Sequence, residues 1–451
     1  MPSIDELMTN ARRAQERWEA ADQAAVDRAV QAMAKAVFDR AEPLARIAVD
    51  ETRMGVYEDK VKKNQNKARI LWASLRNKKT VGVIRRDEET GIVEIAKPMG
   101  VVGSVTPCTN PIVTPMCNGM FAIKGRNAVI FAPHPRAVKS MKAFLDAALE
   151  AWRPLGMPES LLQYEPEPSV ETTVNLMKAV DVVVATGGMG MVKSAYSSGK
   201  PAYGVGAGNV QCVVDRGIDF DEAAQKILEG RRFDNGIICS GEQAAIVPRD
   251  QADVIRRALL AHGAAFVDEP AMKQKLLDML FVNGAMNRDC VGITARAIAA
   301  KIGLAVPEST RVLVVSADGA EEKSLLRKEK ICPVMAMFTY DKFDEAIRIA
   351  RTNLAVEGRG HSVSIHSNDP DHIEQLALAM PVSRVVVNQP CSTSSGGSFY
   401  NGFAPTTTLG CGTWGNNIIS ENLDYKHLIN VTRIGLKPKT VHVPSDEELW
   451  S

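Results

Sequence analysis

Apolar residues repeat at helical spacing through the first 80 residues. Met8, Ala11, Ala14 and Trp18 form one stripe, opened by Ser3 and Glu6 at capping-box spacing. Ala25, Val26, Val30, Met33 and Val37 form a second, and a third helix is expected from about Pro43 towards Thr52. The pattern changes near residue 80. Two β-rich runs flank the turn signal Glu89-Thr90-Gly91 and predict a hairpin. Beyond it, apolar runs alternate with helical segments: VVGSV, NAVIFAP, VDVVVAT and VQCVVD, then QAAIVP, TRVLVVSA, PVMAMFTY and SVSIHSN. Uninterrupted apolar strands separated by amphipathic helices predict an α/β chain with parallel sheets. Two α/β domains joined near residues 205–235 are the simplest organisation, and 451 residues suffice for both. From residue 385 the chain is rich in Gly, Ser, Thr and Asn, and it reads as ordered loop because Phe399, Phe403 and Trp414 punctuate it.

Composition narrows the function. A formal charge of +1 and 5% aromatic residues offer nothing to nucleic acid or an anionic membrane. The N-terminus lacks a signal-peptide apolar core, and no apolar run reaches membrane-spanning length. Eight cysteines are scattered with no CxxC pair, as expected of reduced thiols in the cytoplasm, and their spacing argues against a metal site.

Several residues could carry chemistry. Cys239, in FDNGIICSGEQ, ends an apolar run at a turn. If that turn enters a helix, unpaired backbone N–H groups would lower the thiol pKa, although a free cysteine is more often a small packing residue. Asn110, in TPCTNP after Thr106 and Pro107, could donate to an oxyanion or simply make an Asn-Pro turn. ATGGMGMV places Thr186, Gly187 and Gly188 where a phosphate could approach a helix start. APHPRA sets His134 and Arg136, with Lys139 beyond, near the place of a ribose or its 2′-phosphate. His361 lies between Gly360 and a strand, as an acid–base candidate or a structural histidine.

Together, in order, AKPMGVVGSVTPCTNP, NAVIFAPHPRA, VVVATGGMGMVKSAYSSGKPAYGVGAGN, FDNGIICSGEQ, EKICPVMAMF and LGCGTWGNNIISENLDYKHLINVTRI resemble the aldehyde dehydrogenase superfamily in its CoA-acylating branch. The resemblance implies a Rossmann-like dinucleotide-binding domain (residues 1–84 and 101–207) and an α/β catalytic domain (208–420). It also implies oligomerisation elements (85–100 and 421–451) that join a homodimer or a dimer of dimers. It makes Cys239 the nucleophile, Asn110 the oxyanion donor and His361 a neighbour of the active site. Thr106, Pro107, His134, Arg136, Thr186, Gly187, Gly188, Gly206, Glu329 and Pro333 are then expected to bind NADP or NAD, with Glu329 on the nicotinamide ribose.

Two departures from the hydrolytic members shape the expected activity. Those enzymes activate water with a glutamate, whereas here GVGAGN puts Val205 at that place, thirty-four positions before Cys239. Valine takes no proton, so the resemblance points to transfer of the acyl group to coenzyme A rather than to water. No acidic residue lies in the APHPRA run, which favours NADP over NAD. The likeness is nearest to enzymes of short aldehydes carrying a distal anion, succinate semialdehyde first, with sulfoacetaldehyde and simple C2–C4 aldehydes as alternatives. Ser240, Arg231 and the loop 392–408 are the candidates for holding that anion. The rival classes are a cysteine hydrolase built on Cys239 and His361, and a non-catalytic dinucleotide-binding protein.

Overall fold

The computed structural model describes residues 2–451. Four helices open the chain: α1 (Ile4–Trp18), α2 (Gln23–Asp39), α3 (Ala41–Thr52) and α4 (Tyr57–Leu75). The Ser3–Glu6 capping box forms, and α1 buries Leu7, Ala11, Ala14 and Trp18. Helix α4 has no continuous apolar stripe. Lys60, Lys63 and Asn64 are buried on it beside Ala68 and Leu71.

The hairpin strands β1 (Gly82–Asp87) and β2 (Ile92–Pro98) leave the globule as an arm. Strands β3 (Val101–Thr106), β4 (Ala128–Pro133), β5 (Leu162–Tyr164), β6 (Val182–Thr186) and β7 (Ala202–Val205) make a parallel sheet in the order β5-β4-β3-β6-β7. Between them run α5 (Val113–Lys124), α6 (Val138–Trp152), α7 (Val170–Ala179) and α8 (Met189–Tyr196). β3 and β4 are buried at every position, which is why they read as unbroken apolar runs.

The chain changes sheet between Val205 and Val210. Strands β8 (Val210–Val214), β9 (Glu242–Pro248) and β10 (Ala264–Phe266) precede a small ribbon of β11 (Phe281–Val282) and β12 (Ala285–Met286). With β13 (Val312–Ser316), β14 (Val334–Tyr340), β15 (Gly360–His366) and β16 (Val382–Val387) they give a seven-stranded sheet, β10-β13-β14-β9-β8-β15-β16. Helix α9 (Phe220–Arg232) leads from this sheet to the turn that carries Cys239. The last strand, β17 (Ile429–Gly435), returns to pair antiparallel with β2 and completes a three-stranded arm.

The loop between β16 and β17 is ordered, but of the aromatic residues expected to anchor it only Phe403 packs inward, against Val210, Val386 and Cys391. Phe399 and Trp414 are exposed. Leu409, Cys411 and Leu423 are buried instead, and Asn422 Nδ2 ties Ser395 O and Ala404 O together. Polar side chains satisfy the loop backbone where no sheet partner exists.

Candidate active site

The five-stranded sheet reverses its winding at β3, with β4 and β5 on one side and β6 and β7 on the other. Such a switch point opens a crevice at the carboxyl ends of the strands. Thr106 and Pro107 end β3, His134 and Arg136 follow β4, and Thr186-Gly187-Gly188 follow β6. Gly188 caps α8, and a side chain built at Gly187, Gly188 or Gly190 would meet no atom within 4 Å. That space lets an anion reach the first N–H groups of α8, so the residues fit a dinucleotide phosphate. Gly206 lies against the same helix start, where a Cβ would come within 2.2 Å of Met189 Sδ.

At the other end of the crevice the structure corrects one expectation. An acidic residue is present: Glu51 from α3 reaches the N-terminus of α6, accepting from Lys139 N and Ser140 N at 2.7 Å each and from Ser140 Oγ at 2.6 Å. Arg136 turns its guanidinium to Thr52 O at 2.7 Å. Partial burial, with Arg136 and Arg288 nearby, pushes the His134 imidazole below its ordinary pKa. A carboxylate and three basic side chains thus share this corner, which removes the ground for preferring NADP.

Cys239 stands in a tight turn closed by Gly241 N to Ile238 O at 3.0 Å, and the chain then enters β9. The thiol is therefore not at a helix N-terminus, and the expected lowering of its pKa fails. Burial, then Glu329 and Cys411, push the thiol up to about 12, with Arg384 the cation that opposes them. Gly208 packs directly on this turn. A Cβ there would fall 1.9 Å from Cys239 O, so only glycine fits. Gly208 N also donates to Glu329 Oε1 at 3.3 Å. Burial and Glu357 raise the Glu329 carboxyl to about 8, leaving it largely protonated at neutral pH.

Cys239 opens onto a cleft of about 700 Å³ whose walls include Asn110, Ser240, Phe233, Lys63, Lys67 and the hydroxyl-rich loop from Ser392 to Thr407. Asn110 Oδ1 accepts from Lys63 Nζ at 2.8 Å, while its Nδ2 makes no hydrogen bond among the described residues. A free amide donor thus shares the cleft with the thiol. Ser240 Oγ donates to Ser392 O at 3.2 Å and retains lone pairs only as an acceptor.

One candidate is placed differently from expectation, and two others are buried. Arg231 is fully buried, away from the cleft, and donates to Lys330 O at 2.5 Å, Glu242 O at 3.2 Å, Gly236 O at 3.4 Å and Cys332 O. Its donors are consumed by backbone, so it is not an anion site. Pro333 is buried at the entry to β14, with its carbonyl accepting from Leu313 N at 2.9 Å. His361 is buried within β15, with Nδ1 paired to Ser362 Oγ at 3.1 Å and Nε2 without a partner. Burial and Arg384 hold its imidazole down at about 3, so it is neutral and weakly basic.

Sequence reasoning missed α4. No role was assigned to its run KVKKNQNK, yet it supplies Lys63 and Lys67 to the cleft. Lys67 Nζ donates to Gly396 O at 2.6 Å and Thr406 O at 3.1 Å, and no carboxylate pairs with it among the described residues. Burial lowers its pKa to about 8. An ammonium has three donors, so one remains for a ligand. The signal available in the sequence was the recurrence of lysine at 60, 63 and 67, one helix face.

The aldehyde dehydrogenase family matches residues 2–427. A succinate-semialdehyde dehydrogenase (acetylating) of Clostridium kluyveri is 50% identical over 448 residues, 99% of both chains. A sulfoacetaldehyde dehydrogenase of Acholeplasma is 42% identical over 90% of this chain and 84% of its own. Among solved structures, an acetylating aldehyde dehydrogenase from Geobacillus thermoglucosidasius superposes with a TM-score of 0.94 at 37% identity, covering 98% of each chain.

Proposed function

The chain belongs to the aldehyde dehydrogenase family, and from that premise we propose that it is a CoA-acylating enzyme of short aldehydes bearing a distal carboxylate, succinate semialdehyde first. The Cys239 thiolate adds to the aldehyde carbon. Asn110 Nδ2 and the Cys239 N–H receive the oxyanion, a contribution of roughly 3–4 kcal/mol per donor in comparable sites. A nicotinamide dinucleotide, when bound, supplies the hydride acceptor that turns this adduct into an acyl thioester. Glu329 is the residue proposed to hold its nicotinamide ribose, with the glycine turn before α8 on its phosphates. The thiolate of CoA then takes the acyl group, the bond to Cys239 Sγ breaks, and the thiol is regained. Aldehyde, CoA and oxidised cofactor become acyl-CoA, reduced cofactor and a proton.

Val205 closes β7 in the core, and the carboxyl that influences Cys239 most, Glu329, is largely protonated at neutral pH. Water attack thus lacks a general base, worth roughly 10²–10⁴ in rate. A thiol needs less help, since about a few per cent is already thiolate at neutral pH. His361, neutral, buried and off the cleft wall, is not proposed to abstract a proton.

Lys67 is the observation that carries the substrate class. A half-buried cation with a spare donor and no acidic partner, beside Cys239, suits a carboxylate at the far end of a short chain. Lys62 and Arg232, also on the cleft wall, are exposed. A sulfonate would be accepted by the same lysine, which makes sulfoacetaldehyde the second reading. For the assembly we propose a homodimer or dimer of dimers through the β1–β2–β17 arm, whose outer strand β17 is exposed from Thr432 to Gly435.

The test is an aldehyde panel followed by the near-ultraviolet absorbance of the reduced cofactor, with NAD or NADP, with and without CoA. The expected result is CoA-dependent turnover with highest kcat/KM for succinate semialdehyde. Equal turnover without CoA, yielding free acid, overturns the acyl-transfer reading. Preference for an uncharged aldehyde overturns the substrate reading.

A further inference from the structure

Five and four residues before Cys239, the backbone does something costly. Asp234 and Asn235 both take the left-handed conformation, with φ of 52° each. This places the Asp234 carboxylate in the interior, fully buried. There Oδ2 accepts from Lys63 Nζ at 2.6 Å and Lys60 Nζ at 3.0 Å, and Oδ1 from Val56 N at 2.8 Å. Asp234 N donates to Asp59 Oδ2 at 2.9 Å. Lys60 Nζ also reaches Thr109 O at 3.3 Å, next to the asparagine whose side-chain oxygen accepts from Lys63.

The chemistry of an ammonium fixes the outcome. Lys63 Nζ has three donors and no acceptor, so the atom of Asn110 facing it must be the carbonyl oxygen. A rotated amide would set NH₂ against NH₃⁺, losing the bond and adding repulsion between donors. With the oxygen held at Lys63, the amide nitrogen is presented to the cleft. We propose that Lys63, anchored by Asp234, is a positioning residue that sets the orientation of Asn110 and so pre-forms the oxyanion donor before substrate arrives. Asp234 serves by locating the ammonium, and Lys60 by sharing the carboxylate and bracing Thr109. The inference rests on the oxyanion role proposed for Asn110.

A double-mutant cycle tests it, read as the single-turnover rate of cofactor reduction with saturating aldehyde. Lys63→Met and Asn110→Ala are each expected to slow that rate by about 10–100-fold, with dinucleotide affinity unchanged. The double variant is expected to be no slower than Asn110→Ala alone, and Lys63→Arg to recover most of the rate. If the two losses multiply, Lys63 does not act through Asn110 and the inference falls. If Asn110→Ala alone is without effect, the oxyanion reading falls and the inference with it. Should Lys63→Met fail to fold around the unpaired carboxylate, Lys63→Met/Asp234→Asn replaces it in the cycle, with the same two outcomes.

Discussion

Replacing Lys67 by methionine keeps most of the apolar stem of the side chain and removes its charge. Two of its donors are held by Gly396 O and Thr406 O, Lys67 lines the cleft, and its third donor has no partner among the described residues. A charge-assisted hydrogen bond to a carboxylate contributes about 1.5–3 kcal/mol net. A loss of about 2 kcal/mol corresponds to roughly a thirtyfold fall in kcat/KM for succinate semialdehyde. An uncharged four-carbon aldehyde should lose little. The wild-type enzyme carries its own control, because burial puts the Lys67 pKa at about 8. Below that pH the ammonium is charged and the anionic substrate is favoured. Above it the ammonium deprotonates, and kcat/KM for the semialdehyde should fall by up to about tenfold per pH unit. The ratio of kcat/KM values for the two aldehydes, measured across pH in both proteins, isolates the lysine from the titration of Cys239. An unchanged ratio in Lys67→Met, or a wild-type ratio flat through pH 8, would refute the assignment.

Other substitutions probe the remaining corners. Glu329→Gln removes a carboxyl that raises the Cys239 pKa, but only where that carboxyl is ionised. Alkylation of the cofactor-free enzyme should match wild type well below pH 8 and be several-fold faster above it, because the Glu329 pKa is about 8. The same variant should bind dinucleotide more weakly by fluorescence titration. Glu51→Gln removes the carboxylate beside His134 and Arg136, and the NADP-to-NAD ratio of kcat/KM should rise by about tenfold. Arg231→Met leaves four carbonyl partners unmet and should destabilise the fold by roughly 3 kcal/mol in urea denaturation. In folded protein its KM for succinate semialdehyde should stay unchanged, where loss of an anion-binding arginine would raise it.

The two sheets were legible because parallel strands buried on both faces read as apolar runs, as in VVGSV and NAVIFAP. The placement of candidate residues was legible where it follows from the local chain: Gly187 and Gly188 at a strand end, and Cys239 and Asn110 on one cleft. It was hidden wherever a partner arrives from elsewhere. Glu51 lies 88 residues from Lys139, so reading APHPRA alone missed the carboxylate. Arg231 looked like an available cation because nothing nearby in sequence says that carbonyls around residues 330–332 will surround it. The Cys239 thiol was misjudged for a different reason: NGIICSG permits a turn into either a helix or a strand, and only the register of β9 decides.

The lysines of α4 bring these points together. Lys60, Lys63 and Lys67 recur on one helix face, and nothing in the local sequence says what they meet. What separates them is Asp234, 174 residues from Lys60 and 171 from Lys63, turned inward by its left-handed backbone. Two ammonium groups share that carboxylate and are thereby fixed. The third, a full turn further along, finds only carbonyls and keeps its charge for a ligand. One helix thus offers both the brace for the proposed oxyanion donor and the cation proposed to meet the substrate, divided by how far a single aspartate reaches.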